Sequence, residues 1–335
     1  MTRLRHESRS IDLAETNGMV AEVFPRLCRV RMDGTGHLLL CPYRRAQVYN
    51  RKSGEVEREH EERSPVAVGD RVKVQVFGSQ DGVVEGVADR GSTLMRMAPG
   101  REGAQVHVLA SNVDLLVIVA AVRSPDFSPG LIDRFLVAGQ VAGIKTLICM
   151  NKMDLRQSDE KPWSIYEQSG VEVVNVSAKG EPGIGALIKA LDGKLAVFCG
   201  HSGVGKTSIL KVLLGREVGR IGEVSESSGK GKHTTTGALL LEGANGTRVI
   251  DTPGVREFGL VGIAPEDLQL YFPEFKELGC PVRGCLHDGE EGCKASGQPR
   301  YSSYKRILNS VQENVKVADK PWEKKAKRDR KSPSR

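Results

Sequence analysis

"CGHSGVGKTS", Cys199 to Ser208, contains the pattern G-x-x-x-x-G-K-[ST] from Gly200 to Thr207. It follows the apolar run "LAVFC", as a strand would, and its far end opens a helix. In that setting the glycines permit a turn whose backbone N–H groups all face one anion. Gly200, His201, Ser202, Gly203, Val204, Gly205, Lys206, Thr207 and Ser208 are therefore the expected phosphate-binding segment. Lys206 is expected to reach the β- and γ-phosphates of a nucleotide, and the Thr207 hydroxyl to ligate Mg²⁺.

Working outward from this loop, "VDLLVIVAAV" (Val113 to Val122), "IKTLICM" (Ile144 to Met150) and "VEVVNVS" (Val171 to Ser177) are continuous apolar runs of the same kind. Such runs are expected of strands buried on both faces. Between the first two lies "SPGLIDRFLVAGQVAG", a helix by the spacing of Leu131, Phe135, Val137 and Ala138. Strands alternating with helices imply a parallel α/β sheet. "GALLLEG" and "GTRVIDTPG" read as a hairpin that extends it.

Further motifs close these strands. "NKMD", Asn151, Lys152, Met153 and Asp154, follows "TLIC". Asp154 can accept two hydrogen bonds from guanine, while adenine would leave the carboxylate unpaired, and a site built on buried hydrogen bonds rejects such an analogue strongly. Lys152 would lie along the base and Asn151 would brace the loop. "SAK" (Ser177, Ala178, Lys179) could give a backbone N–H to the guanine oxygen. In "DTPG", Asp251 would hold the Mg²⁺ shell through water and the Gly254 N–H could meet the γ-phosphate. Ligands bind at the carboxyl edge of an open α/β sheet, where all four motifs fall. In ordinary small GTPases the phosphate loop comes first and the base-reading motifs last. Here the order is NKMD, SAK, phosphate loop, threonines, DTPG, a circular permutation with the old termini joined near "LDGKL".

The 335 residues are 39% hydrophobic and 27% charged, and their net charge is +7. They suit a multidomain globular protein. No apolar run approaches the roughly 18 residues of a membrane helix, and "MTRLRHESRS" lacks the apolar core of a secretory signal, so a cytoplasmic protein with no membrane partner is expected. Residues 1–17 read as a disordered basic N-terminus. From 18 to 96 short alternating strands suggest an OB-like barrel able to bind RNA, though a β-module without a ligand fits the strands equally. Residues 97–112 read as a linker, 113–262 as the permuted domain, 263–315 as a helical metal-binding domain and 316–335 as a basic disordered tail. That tail has nine Lys or Arg against three acids, net +6, which suits a polyanion or merely a solvated end. Four of the seven cysteines, Cys28, Cys41, Cys149 and Cys199, lie in strand-like runs and are expected to be buried hydrophobes. Cys280-x4-Cys285-x-His287-x5-Cys293 supplies three thiolates and an imidazole, a closed tetrahedral set for one structural zinc.

The motif set resembles the circularly permuted, ribosome-small-subunit-dependent GTPases of bacteria, the RsgA (YjeQ, YloQ) family. The resemblance runs from about Gly18 to Tyr304 and implies an N-terminal OB barrel, a permuted GTPase core and a C-terminal zinc domain. It also implies GTP hydrolysis with Mg²⁺, stimulated by the small subunit late in its maturation, with 16S rRNA as partner; a monomer is expected. The family's phosphate loop usually reads GQSGVGKSS, so His201 and Thr207 replace a Gln and a Ser, and Thr207 keeps the hydroxyl. Its switch segment resembles "GKHTTTG", where one of Thr234, Thr235 and Thr236 should cap Mg²⁺ and the γ-phosphate. Many GTPases place a water-orienting Gln directly after the DxxG glycine. Val255 stands there instead, which leaves His233 as a catalytic candidate or a mere contact to RNA or solvent. A nucleic-acid-binding ATPase stays open as a second reading, opposed by NKMD. A non-enzymatic RNA-binding scaffold is a third, opposed by Lys206, Thr207 and Asp251.

Overall fold

Alternating apolar and polar residues close a small barrel at the N-terminal end of the computed structural model. The structure describes residues 11–43, 66–97, 106–215, 238–243, 246–252, 260, 262–275 and 278–313. Strands β1 (Gly18–Val23), β2 (Leu27–Met32), β3 (Leu38–Pro42), β4 (Arg71–Phe77) and β5 (Asp81–Val87) run in the order β1-β2-β3-β5-β4, and β4 pairs back with β1. Val20, Cys28, Val30, Leu39, Cys41, Val72, Val74 and Val84 point inward and fill it. Burial alternates along β2 and β3, as the two-residue period of a strand requires, while in β1 Ala21 and Glu22 are buried as well.

The sequence expectations at the barrel's edges need three corrections. Residues 11–17 were expected to be disordered, but Ile11 bridges to Ala88, and the Asn17 side chain exchanges hydrogen bonds with the Val74 backbone (2.9 and 2.8 Å). The barrel strands end at Val87, so β6 (Thr93–Met97) is not one of them. The expected linker 97–112 contains a strand, β7 (Val106–Ser111), which pairs antiparallel with β6. Gly and Pro around 99–103 suggested a linker, but alternation resumes at Val106, and pairing satisfies that backbone.

The nucleotide-binding sheet follows: β8 (Leu115–Ala121), β9 (Lys145–Asn151), β10 (Glu172–Asn175), β11 (Leu195–Cys199), β12 (Leu239–Glu242) and β13 (Arg248–Asp251). Their order is β10-β9-β8-β11-β13-β12, and only β12 runs antiparallel. β8 is buried at every residue. Leu116, Ile118 and Ala120 face one core with helix α1 (Pro129–Val141), while Leu115, Val117 and Val119 face another with α3 (Gly185–Leu191) and α4 (Lys206–Leu214). Helix α2 (Ser164–Gln168) lies between β9 and β10. The sheet turns from α3 into β11 at "LDGKL", where Gly193 takes a positive φ of 67°. No helix among the described residues is long and apolar enough to cross a membrane.

The C-terminal region is less helical than its spacing suggests. "PEDLQLYFPEF" forms two 3-10 stretches, Pro265–Tyr271 and Pro273–Phe275, and one α-helix, α5, spans 301–313. Phe272, Phe275, Tyr304 and Leu308 join the same core as Ile132 and Phe135 of α1. Arg300, 4% exposed, is paired with Asp133 of α1 (3.2 Å) and Glu274 (2.6 Å), and its guanidinium lies 4.9 Å from the Phe272 ring centroid. A buried charge is tolerable only when paired and hydrogen-bonded in this way.

The barrel is fixed to the nucleotide domain through the loop before β4. Val68 O accepts from Ser111 N (2.9 Å) and Gly69 O from Asn112 Nδ2 (3.0 Å). Gly69 has a φ of +96°, and a Cβ there would stand 2.1 Å from Ser111 O. Gly69→Ala is expected to force the two backbones apart and to cost about 2–3 kcal/mol through strain and loosened hydrogen bonds. Urea unfolding of variant and wild type measures it.

Candidate functional site

The carboxyl ends of β9, β10, β11 and β13 meet at one edge, where the sequence motifs fall. The phosphate loop leaves β11 at Gly200, whose φ is +139° and whose Cβ, if present, would lie 2.1 Å from Val119 O. Only glycine lets the loop press so closely on β8. Gly203 and Gly205 also have positive φ, and α4 begins at Lys206 with its N-terminus toward the loop. Lys206 Nζ donates to the carbonyls of Gly200 and His201, both at 2.7 Å, which places the ammonium inside the loop. His201, Ser202, Gly203 and Thr207 are exposed, Ser208 is half-buried and Val204 is buried.

Asn151 connects this loop to the other motifs. It is 1% exposed. Its Nδ2 donates to Val204 O (2.8 Å) and its Oδ1 accepts from Ala178 N (3.2 Å). One side chain thereby joins the NKMD, SAK and phosphate loops. Gly205 makes room for it, since a Cβ there would meet Asn151 Nδ2 at 2.3 Å. Lys152 adopts a left-handed φ of 63°, and its ammonium donates to Ser124 O. Met153 N donates to Val176 O (3.2 Å), tying NKMD to the end of β10. Asp154 is exposed at the rim, and the buried Ser177 hydroxyl donates to its Oδ1 while accepting from Gly180 N (3.0 Å). That grip fixes the carboxylate's direction. The sequence offered SAK only as a backbone donor; nothing short-range signals a side chain 23 residues away.

Asp251 ends β13 beside β11. Burial raises its carboxyl pKa above the usual range, and the nearby Lys206 charge opposes the rise. A partly buried carboxylate within reach of the Lys206 charge suits a divalent cation. His233, Thr234, Thr235, Thr236 and Gly254 lie outside the described residues.

A second constellation sits in the C-terminal region. The ligand atoms of Cys280, Cys285, His287 and Cys293 all lie within 4.8 Å of one another. His287 Nδ1 is 3.5, 3.5 and 3.4 Å from the sulfurs of Cys280, Cys285 and Cys293, and the Cys280 and Cys293 sulfurs are 3.9 Å apart. A tetrahedral ion held at about 2.3 Å by sulfur and about 2.0 Å by nitrogen sets S···N near ~3.5 Å and S···S near ~3.8 Å. The four residues therefore fit such an ion, with Nδ1 the ligating atom. His287 Nε2 then donates to Gln269 Oε1 (3.1 Å), fixing the tautomer. No local pattern in the sequence points to Gln269. The Tyr304 hydroxyl donates to Leu286 O (2.7 Å), which anchors the metal loop to the core.

A glycine-rich loop of the phosphate-binding pattern and the NKMD and SAK loops that Asn151 braces to it, with Asp251 at the same edge of a sheet whose strand order is rotated, form the arrangement of a circularly permuted P-loop GTPase. The RsgA GTPase family model matches residues 87–261. The chain is 37% identical over 274 residues to the small ribosomal subunit biogenesis GTPase RsgA of Chlorobaculum parvum, covering 76% of this chain and 88% of that one. It is 39% identical over 264 residues to the protein of the same name from Pseudomonas putida, covering 74% and 76%. The crystal structure of YjeQ from Thermotoga maritima matches with a TM-score of 0.65 at 29% identity, over 89% of this chain and 98% of that one. YloQ, described as a circularly permuted GTPase, shares the fold with a TM-score of 0.62 at 24% identity, over 93% of this chain and 98% of that one. The chain belongs to the RsgA GTPase family and is a GTP-hydrolysing enzyme.

Asn151→Ala is expected to leave the fold intact and weaken guanine nucleotide binding about a hundredfold, from the loss of two buried hydrogen bonds at ~1–1.5 kcal/mol each. Titration with a fluorescent GDP analogue reads this. Cys285→Ser should abolish stoichiometric metal by elemental analysis. Because Tyr304 and Phe272 share a core with α1, it should also lower the main thermal transition rather than add a separate early one.

Proposed function

We propose that this chain acts in the biogenesis of the small ribosomal subunit, hydrolysing GTP to GDP and phosphate when it engages that subunit and its 16S rRNA. The observation that carries the guanine-nucleotide part is the Asn151 brace, which makes one site of loops that the chain order separates. In this reading, Gly200 through Ser208 cradle the phosphates, and Lys206 offsets their charge. Thr207 and, through water, Asp251 hold the Mg²⁺, which supplies charge neutralisation on the phosphate oxygens. Asp154 accepts from the guanine ring N–H and amino group, Lys152 lies along the base, and Ala178 and Lys179 offer backbone donors. Gly254 and one of Thr234, Thr235 and Thr236 contact the γ-phosphate, and His233 or a ribosomal group orients the water that Val255 cannot. The Cys280, Cys285, His287 and Cys293 set holds one structural zinc.

The barrel is the RNA-binding module. Its β2–β3 face is the side OB folds use for oligonucleotides. It carries exposed Leu38 and Leu40 beside Arg29 and Arg31, and Arg29 lies 5.6 Å from the Phe24 ring centroid. The protein works as a monomer in the cytoplasm, where its ribosomal partner is found. GTP turnover measured alone, with small subunits, with large subunits and with naked RNA tests this function. Small subunits alone should stimulate strongly, and Lys206→Ala should lose turnover under every condition. Equal stimulation by large subunits would contradict the proposed partner.

A further inference from the structure

The barrel and the nucleotide sheet are continuous. The joining pair is β1 against β12, with one registered partner, Glu22↔Leu239. β12 begins two residues after Gly237, the end of the threonine segment, and pairs along its length with β13, which ends in Asp251. Whatever loosens β12 therefore acts on strands leading to two parts of the nucleotide site.

Charges at this seam are shared with the barrel's outer face. Glu22 is 7% exposed, and its carboxylate is held by Arg29, its register partner on β2. Arg31, further along β2, crosses to Glu242 of β12 (2.7 Å). On the other side Arg29 and Arg31 stand opposite Leu40 and Leu38 of β3. Two arginines that can meet RNA phosphates on that face, among the described residues, thus already neutralise carboxylates at the joint. A phosphate that draws Arg29 away leaves Glu22 as a nearly buried, unpaired carboxylate, a costly arrangement that opening the seam relieves. A phosphate that draws Arg31 away removes a side-chain link between barrel and β12.

We propose that RNA phosphates and the carboxylates of Glu22 and Glu242 compete for Arg29 and Arg31, so that single-stranded RNA on the barrel and nucleotide in the GTP site are coupled through the β1–β12 seam. This rests on the reading of the barrel as the RNA-binding module. Coupling of this kind is reciprocal. Because the Arg31–Glu242 pair is part-exposed, its share is about fivefold in affinity, the equivalent of roughly 1 kcal/mol.

The test uses the full chain and a fluorescent 12-nucleotide oligouridylate, read by anisotropy with GDP and with a non-hydrolysable GTP analogue. Wild type should bind the oligonucleotide with different affinity in the two states. Glu242→Gln, which releases Arg31, should bind about fivefold more tightly in at least one state, and the difference between states should shrink. Glu15→Gln removes a carboxylate that pairs with Lys73 elsewhere on the barrel; it makes the same charge change and should keep the wild-type difference. Arg31→Gln should weaken binding and also flatten the difference. Equal affinities in the two states for wild type, or Glu242→Gln behaving as Glu15→Gln, would overturn the exchange. If wild type binds no oligonucleotide, or if Leu38→Ala/Leu40→Ala binds as wild type, the barrel reading itself fails, a different result from a Glu242 variant without effect.

Discussion

The Asn151 side-chain amide is the constraint on which the nucleotide site depends. Its two polar atoms have two partners, Val204 O and Ala178 N, on loops that precede α4 and follow β10. At 1% exposure neither atom has water as an alternative, so either loop shifting would leave a buried polar group unpaired. The site therefore tolerates a rearranged chain order, because what fixes the loops is a bond across space. The parallel sheet supplies the rest. β8, β9, β10, β11 and β13 end at one edge whichever strand comes first in sequence, and the turn at Gly193 accommodates the rejoined ends.

The Cys/His cluster that could hold a metal is built into the same body. Its ligand loop hangs from Tyr304, which packs with Phe272 and Phe275 against α1, and the Arg300 pair with Asp133 adds a buried electrostatic contact. α1 in turn offers Leu131, Ile132 and Phe135 to the niche beside Gly200, His201 and Val204. An ion held by this cluster would stabilise a wall of the nucleotide domain as well as its own loop. The barrel joins the sheet at its β12 edge through the β1–β12 seam, and its Ala21 and Val68 enter the same core as α1.

Much of this was legible in the sequence, and the rest was not for identifiable reasons. Continuous apolar runs located β8, β9 and β11, because burial on both faces selects apolar residues along most of each strand. Glycines at fixed spacing marked the phosphate loop, since its backbone needs positive φ. The ligand spacing marked the metal set, because four donors within one short segment leave few other roles. The strand β7 was missed because a Gly/Pro-containing segment precedes it, and its partner β6 alone gives weak alternation. The 3-10 stretches at Pro265–Tyr271 look helical because both helix types bring residues three apart to one side. Ser177 on Asp154, Gln269 on His287 and Arg300 on Asp133 are contacts between distant segments, and no local pattern encodes them.

The central claim is that the loop at 151–154 reads the base of the nucleotide whose phosphates the loop at 200–208 holds. Displacement of a fluorescent guanine nucleotide by GDP, ADP and xanthosine diphosphate, for wild type and Asp154→Asn, tests it most directly. Replacing the carboxylate by an amide turns one acceptor into a donor, which suits the xanthine oxygen in place of the guanine amino group. Wild type is expected to prefer GDP, and the variant to shift its preference to xanthosine diphosphate while retaining phosphate binding. A variant that still prefers GDP as wild type does would contradict the claim, and would mean that the base is read elsewhere.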